Sequence, residues 1–371
     1  MVDLYGPYER IREEVAAGIR EVVESSAFIN GPAVGELARE LSEWLGVRHT
    51  IPCGSGTDAL LLAFMAVGLK PGDEVVVPAF SYAAPVEAAA LLGGVPVMAD
   101  VDPETFNMDP QSLRRVITPR TRAIVPVHLF GQTCAMEPIL GIAREYGLYV
   151  IEDNAQSFGA EYTFSDGRRK YAGTMGHIGC TSFFPTKVLG CFGDGGALFT
   201  DDDRLGERLR MMAAHGQRER YRHETLGLNS RLDSVQAVVL RAKLPRLRES
   251  IGARASAARY YTRRLEAVAE VAAPVEAPDS THVWHQYTLK VDPAVRDALR
   301  SRLAQEGIPT AVYYPLPLPL QPAYRELCVA DERLDAALRL PQCVLSLPIH
   351  TELTAAQQDE IVGAIERFFK K

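Results

Sequence analysis

"HTIPCGSGTDALLLAFMAVGLKPGDEVVVPAF", residues 49–80, sets two short apolar runs on either side of a helical one. "HTIPC" (49–53) reads as a short strand and Thr57–Val67 as a helix. "DEVVVPA" (73–79) is a run of valines with no polar alternation, which is how a strand buried on both faces looks. Two such strands joined by a helix make a parallel crossover unit. The pattern repeats along the chain: helix Pro85–Leu92, strand "VPVMADV" (95–101), helix Pro110–Val116, strand "RAIVPVHL" (122–129), helix Glu137–Tyr146 and strand "LYVIED" (148–153). "GCTSFF" (179–184) and "GGALFT" (195–200) read as two more strands. The fold class is therefore α/β, with a parallel-rich sheet between helices. Two helices precede it, Glu9–Ser25, with Ile11, Val15, Ile19 and Val22 at helical spacing, and Val34–Leu45. Helices Asp202–Ala214, Asp233–Ser250 and about Ala253–Ala267 follow it. The tail holds strand "HQYTLKV" (285–291), a helix near Ala294–Glu306, the proline-rich "YYPLPLPLQP" (313–322) and a last helix from Ala355. This divides the chain into a large part, 1–251, and a small α+β part, 252–371.

The length, 371 residues, suits about two such units. The net charge is -7 and no long basic run occurs, so nucleic acid is a poor partner. The first residues, "MVDLYGPYERIREE", are charged and lack the apolar core of a signal peptide. The longest apolar run, Ala59–Leu69, is far short of the roughly 20 residues that span a bilayer. Six cysteines are scattered with no C-x-x-C pair, so neither a zinc site nor a disulfide framework is expected, and a reducing cytoplasm is the default setting.

Open α/β sheets bind ligands beyond the carboxyl ends of their strands. After "HTIPC" comes "GSGTDAL": Gly54, Ser55 and Gly56 turn the chain, then Thr57 and Asp58 open a helix. Free N–H groups at such a helix start suit a phosphate, and equally a plain helix cap. The lysine of a nucleotide-binding P-loop is missing. After "LYVIED" stands Asp153, either satisfied by backbone or waiting for a cation. After "GCTSFF" stands Lys187, ahead of the turn "GDGGA". It is either a loop lysine reaching solvent or a desolvated amine, which becomes a nucleophile. After "DEVVVPAF" stands Tyr82, a stacking face for a flat ligand or a core aromatic. Together these are the parts that pyridoxal 5'-phosphate needs: a lysine for its aldehyde, an acid for its ring nitrogen and a helix start for its phosphate.

The ordered motifs "FINGPAVGELARELSEWLGV" (28–47), "GSGTDALLLAFMAVGLKPGDEVVVPAF" (54–80), "VDPETFNMDPQSL" (101–113), "TRAIVPVHLFGQ" (121–132), "IEDNAQSFGA" (151–160), "TSFFPTKVLGCFGDGGALFTDDD" (181–203) and "GLNSRLDSVQAVVL" (227–240) resemble those of the DegT/StrS-type sugar aminotransferases. The resemblance covers nearly the whole chain. It implies a fold type I pyridoxal-phosphate enzyme with a mostly parallel seven-stranded sheet. It implies that Lys187 holds the cofactor as a Schiff base and then moves the proton, that Asp153 meets the ring nitrogen, and that Gln156 meets the 3'-hydroxyl side. Gly56, Thr57 and Ser182 would bind the phosphate, and Tyr82 would stack on the ring. Asn229 would reach the cofactor of the neighbouring subunit, in a homodimer with shared active sites. The reaction implied is ping-pong, from an amino donor, usually L-glutamate, to a keto group of a nucleotide-linked sugar. A subgroup with histidine at the lysine position dehydrates instead, and Lys187 argues against that outcome.

The runs around Lys187 and Asn229 look closest to enzymes that aminate C3 of UDP-2-acetamido-2-deoxy-3-oxo-glucuronate. A planar guanidinium fits the carboxylate of such a sugar, and Arg231 is the candidate, with pairing to Asp233 or backbone as the other use. Tyr313 and Tyr314, in "AVYYPLPL", are further substrate candidates. The family often has histidine where Tyr313 stands; tyrosine can hydrogen-bond a sugar but supplies no cation. Ser55 stands where an asparagine is common and keeps a polar group there. The insert Thr163–Gly173 reads as a charged hairpin, at the substrate entrance or simply solvated. His128 and His215 read as structural. Two other functions fit the same scaffold: amination of a 4-keto-6-deoxy nucleotide sugar, and a regulatory protein that binds pyridoxal phosphate without turnover.

Overall fold

The structure is a computed structural model, and it describes residues 1–370. Seven strands from the first 200 residues build the main sheet: β1 (His49–Cys53), β2 (Glu74–Pro78), β3 (Val95–Ala99), β4 (Thr121–Ile124), β5 (Tyr149–Asp153), β6 (Ile178–Ser182) and β7 (Gly196–Thr200). Later come β8 (Val271–Ala272), β9 (Tyr287–Val291), β10 (Val329–Ala330) and β11 (Val344–Leu347). The main sheet runs β1-β7-β6-β5-β4-β2-β3-β10. β7 lies antiparallel to both its neighbours, and the other pairs are parallel. All the expected strands are present. The added eighth, β10, is a two-residue edge strand from the C-terminal part of the chain. Nothing in "CVADE" marks it, because its two residues are exposed and only the edge of β3 makes them a strand.

β2 is buried at every position, as its valine run requires. The helix Gly56–Ala66 crosses from β1 to β2, and its Leu60, Leu62, Ala63 and Phe64 are buried against the sheet. The helix Pro32–Leu45 opens on a proline, whose missing N–H costs nothing in a first turn. Its Leu37 and Leu41 are buried under the other end of the sheet.

A second apolar cluster is centred on the small antiparallel sheet β8-β9-β11 and the last helix, Ala355–Phe369. The chain reaches it along the helix Leu247–Leu265. The expected break at Ser250–Ala253 is not where the helices part. They part at Leu244–Arg246, a 3-10 turn that contains Pro245, after the helix Ser234–Lys243. Proline lacks the N–H a helix interior needs and costs about 3 kcal/mol there, while Gly252 costs about 1 kcal/mol and is carried inside the longer helix. The stretch with Leu318, Leu334 and Leu340 then returns to pack on the main core.

β1, β2, β5 and β6 point the same way, so their carboxyl ends share one edge. The segments that follow them are Gly54–Thr57, Ala79–Tyr82, Asn154–Gln156 and Phe183–Lys187.

Candidate active site

Asp153 ends β5. Its N–H donates to the Pro126 carbonyl (2.9 Å) and its own carbonyl accepts from His128 N–H (3.0 Å), so the backbone is clamped where the side chain leaves the sheet. The carboxylate is 6% exposed, and Oδ1 accepts from Ala155 N–H at 3.0 Å. Burial raises its pKa, and the Ala155 N–H and the charge of Lys187 pull it back down. Lys187 sits in the turn that follows β6, where its N–H donates to the Phe184 carbonyl at 2.9 Å. The residue is half-buried. Desolvation lowers the amine's pKa, and the nearby Asp153 carboxylate opposes that fall. A lysine whose neutral form is favoured beside a carboxylate is suited to attack an aldehyde.

Gln156 is fixed from both ends. Its Oε1 accepts from Phe130 N–H (2.8 Å) and its Nε2 donates to the Tyr314 hydroxyl (2.9 Å). Phe130 has φ of 59°, the left-handed region, within the tight turn after β4 that aims this N–H. Tyr314 therefore touches a candidate cofactor residue, a role that "YYPLPL" alone did not indicate. Its ring also lies 6.1 Å from Phe80 and 6.3 Å from Tyr82, and Tyr313 packs on it at 5.8 Å. Tyr82 is 59% exposed, so its ring stands at the surface of this cluster rather than in the core.

The turn Gly54–Thr57 is built for close approach. Ser55 caps the helix, its Oγ accepting from Asp58 N–H at 3.0 Å. The N–H groups of Gly56 and Thr57 head the helix Gly56–Ala66, where intrahelical acceptors are lacking. A Cβ on Gly56 would stand 2.8 Å from the Ser182 Cβ, and one on Gly196 would stand 2.5 Å from the Ser55 backbone. These two glycines let β6, β7 and the helix start meet, which brings Ser182 to Gly56 and Thr57. Helix N–H groups with hydroxyls of Thr57 and Ser182 nearby fit a phosphate. The buried Asp153 and the adjacent Lys187 fit the ring nitrogen and the aldehyde.

Asn229 and Arg231 come from elsewhere. Ser230, between them, is buried; its Oγ donates to Asp58 Oδ2 (2.7 Å) and accepts from Gly54 N–H (3.0 Å). This ties the loop to the same helix start. Asn229 is exposed. Arg231 is half-buried and makes no salt bridge with Asp233 among the described residues. Sequence reasoning missed Ser230, and no local signal marks it.

The Thr163–Gly173 insert is a hairpin, with Glu161–Thr163 paired antiparallel to Arg169–Tyr171. Its charges are matched locally, Arg168 to Asp166 and Arg169 to Glu161. His128 is buried; its Nδ1 accepts from Cys134 N–H (3.0 Å), so its proton is on Nε2, which donates to Glu152 (2.8 Å). Glu152 also accepts from Gly173 N–H, and this group ties β4, β5 and the insert together. His215 is exposed and takes no part in the cluster around Lys187.

A model of the DegT/DnrJ/EryC1/StrS aminotransferase family matches residues 9–366. The chain is 44% identical over 366 residues to the UDP-2-acetamido-2-deoxy-3-oxo-D-glucuronate aminotransferase of Pseudomonas aeruginosa, covering 98% of both chains. It is 42% identical to a protein of Geobacillus stearothermophilus named pleiotropic regulatory protein, covering 100% of this chain and 98% of the other. Among solved structures, S. venezuelae DesV in complex with a ketimine intermediate superposes with a TM-score of 0.94 at 39% identity, covering 100% of this chain and 98% of that one. The chain thus belongs to the DegT/DnrJ/EryC1/StrS aminotransferase family, and its cofactor is pyridoxal 5'-phosphate.

Proposed function

We propose that this aminotransferase moves an amino group from L-glutamate to the C3 keto group of UDP-2-acetamido-2-deoxy-3-oxo-glucuronate, for cell-surface polysaccharide synthesis. The observation that carries the substrate is the 44% identity to an enzyme of that name across 98% of both chains. When bound, pyridoxal phosphate supplies an electron sink for the carbon that gives or takes the amine. Lys187 binds the cofactor aldehyde and, once released, carries the proton to and from the reacting carbon. Asp153 holds the proton on the ring nitrogen. Gln156, steadied by Tyr314, meets the ring oxygen. Gly56, Thr57 and Ser182 bind the phosphate, and Tyr82 covers the ring. Asn229, exposed on a pinned loop, reaches the phosphate site of a second subunit in a homodimer. Arg231, with no partner at Asp233, receives the sugar carboxylate, and Tyr313 lies beside the sugar. In this reading the chain divides near Gly252, works in the cytoplasm and binds no nucleic acid.

The test supplies the 3-keto uronate and a 4-keto-6-deoxy nucleotide sugar separately, with L-glutamate, and measures 2-oxoglutarate. Release with the 3-keto uronate is expected. Release with the 4-keto sugar alone overturns the substrate assignment. The regulatory name of one relative favours a second reading, binding without turnover. Release from neither sugar, with an intact cofactor band, would support it.

A further inference from the structure

The chain between β6 and β7, residues 183–195, carries Lys187 and has no helix or strand of its own. A few contacts set its shape. Phe183 N–H donates to the Gly195 carbonyl and Cys191 N–H to the Phe183 carbonyl, both at 2.8 Å. Gly190 lies on the peptides that precede Lys187. A Cβ there would stand 2.7 Å from the Phe184 carbonyl oxygen and 2.6 Å from that of Pro185. The Phe184 carbonyl is the one that accepts the Lys187 N–H. Where Gly190 sits therefore decides where the Lys187 backbone sits.

The helix Ser234–Lys243 grips this segment at two points. Gln236 Oε1 accepts from Phe192 N–H at 2.8 Å, and a Cβ on Gly193 would stand 2.9 Å from Gln236 Nε2. Two turns along the same face, Lys243 Nζ donates to the Gly190 carbonyl at 2.5 Å and lies 5.1 Å from the Phe192 ring centre. Between them, Ala237 and Leu240 pack in one apolar cluster with Leu189 and Cys191. The helix is itself held from behind: Arg241 pairs with Glu40 at 2.9 Å, and Ser234 Oγ accepts from Gly31 N–H at 3.2 Å. A lysine in the last turn of a helix ordinarily extends to solvent or to the carbonyls of its own helix. Lys243 is half-buried, makes no salt bridge among the described residues and places its charge at a carbonyl of another segment. Burial lowers its pKa to about 8, which leaves it mostly charged at neutral pH. A charge-assisted bond of this kind is among the stronger hydrogen bonds, and it closes the turn at the residue that braces Lys187.

We propose that Lys243 and Gln236 are positioning residues for the transfer: from the helix Ser234–Lys243 they hold the stretch 190–192 and so set the reach of the Lys187 amine. The inference rests on the aminotransferase reading, in which Lys187 binds the cofactor aldehyde and then moves the proton. Lys187 must meet each reacting carbon at bonding distance, and a displacement of about 1 Å can cost about 100-fold in rate. Two rates, each taken per bound cofactor, report on this. One is the formation of the visible band when pyridoxal phosphate is added to apoprotein, which needs the Lys187 amine and no substrate. The other is the loss of that band under saturating L-glutamate. Lys243→Met removes the donor and is expected to slow both about 10- to 100-fold, while the L-glutamate concentration at half-maximal rate stays within about three-fold. Lys243→Arg, which keeps a charged donor, is expected to regain most of the rate. Gln236→Leu breaks the other grip and is expected to act in the same direction. Gln236→Glu keeps an acceptor for Phe192 N–H and is expected to stay near wild type. This second pair decides the matter should Lys243→Met fail to fold. A lower Tm with both rates unchanged would make Lys243 a support of the fold alone and overturns the proposal. A raised half-maximal L-glutamate concentration with unchanged rates would make it part of a binding site and overturns it as well. A wild type whose band forms but does not respond to L-glutamate would overturn the donor assignment instead, and band formation would then decide the role of Lys243.

Discussion

Lys187 and Asp153 shift each other in opposite senses to burial, and the balance is testable without substrate. Burial lowers the lysine's pKa from 10.5, so the folded chain binds fewer protons than the unfolded one between the lowered value and 10.5. In cofactor-free protein the charged lysine costs stability fully below the folded pKa, and the cost fades as pH rises to 10.5. Lys187→Met in the apoprotein is therefore expected to raise Tm at neutral pH, with the gain shrinking toward pH 10.5. A gain that is constant across that range would refute a desolvated lysine. In the holoenzyme, Lys187→Ala is expected to lose the visible absorbance band that L-glutamate bleaches in the wild type. Asp153→Asn keeps the shape and removes the charge. A fall in turnover of about 10² to 10³-fold is expected, the scale of losing one electrostatic partner in a water-excluded site. Turnover within a few-fold of wild type would remove Asp153 from the ring nitrogen.

At the scale of elements, the helix start at Gly56 is held by what packs on it. Ser230→Ala removes the hydroxyl that bridges Asp58 and Gly54 and leaves a half-buried N–H without its partner. The cost is about 1 to 3 kcal/mol, and cofactor affinity is expected to fall with it, because the same turn heads the phosphate site. Equilibrium unfolding and titration of apoprotein with pyridoxal phosphate would check both. The helix Leu247–Leu265 shows where element-level reading fails. A glycine marks a possible break and a proline a near-certain one, and here the chain parts its helices at Pro245 and runs on through Gly252. β10 was not legible for another reason: it is a strand only because β3 offers it an edge.

For the whole molecule, the exposed Asn229 on a pinned loop leads to a prediction that needs two chains. Lys187→Ala and Asn229→Ala proteins, each inactive, are refolded together. A heterodimer then holds one site with both native residues, and about a quarter of wild-type activity should return for random pairing in a two-fold dimer. No recovery would place Asn229 in its own subunit's site or in none.

The strand-end residues were legible one at a time, because a parallel sheet sends every ligand-facing segment to the carboxyl end of a strand, and Lys187, Asp153 and the Gly54–Thr57 turn each follow one. The order of apolar runs and the motifs around them determined the fold class, the family and the cofactor. Contacts between distant residues were left to the tertiary structure. Gln156 meets Tyr314 across 158 positions and Asp58 meets Ser230 across 172. Arg254 lies in a helix of otherwise ordinary charge, where an arginine reads as surface. Periodicity reports which face of an element is apolar, but not which distant group comes to rest against it. Only the packing of the small sheet buries Arg254 against the carbonyls of Trp284 and Ile349 and leaves it without an anion.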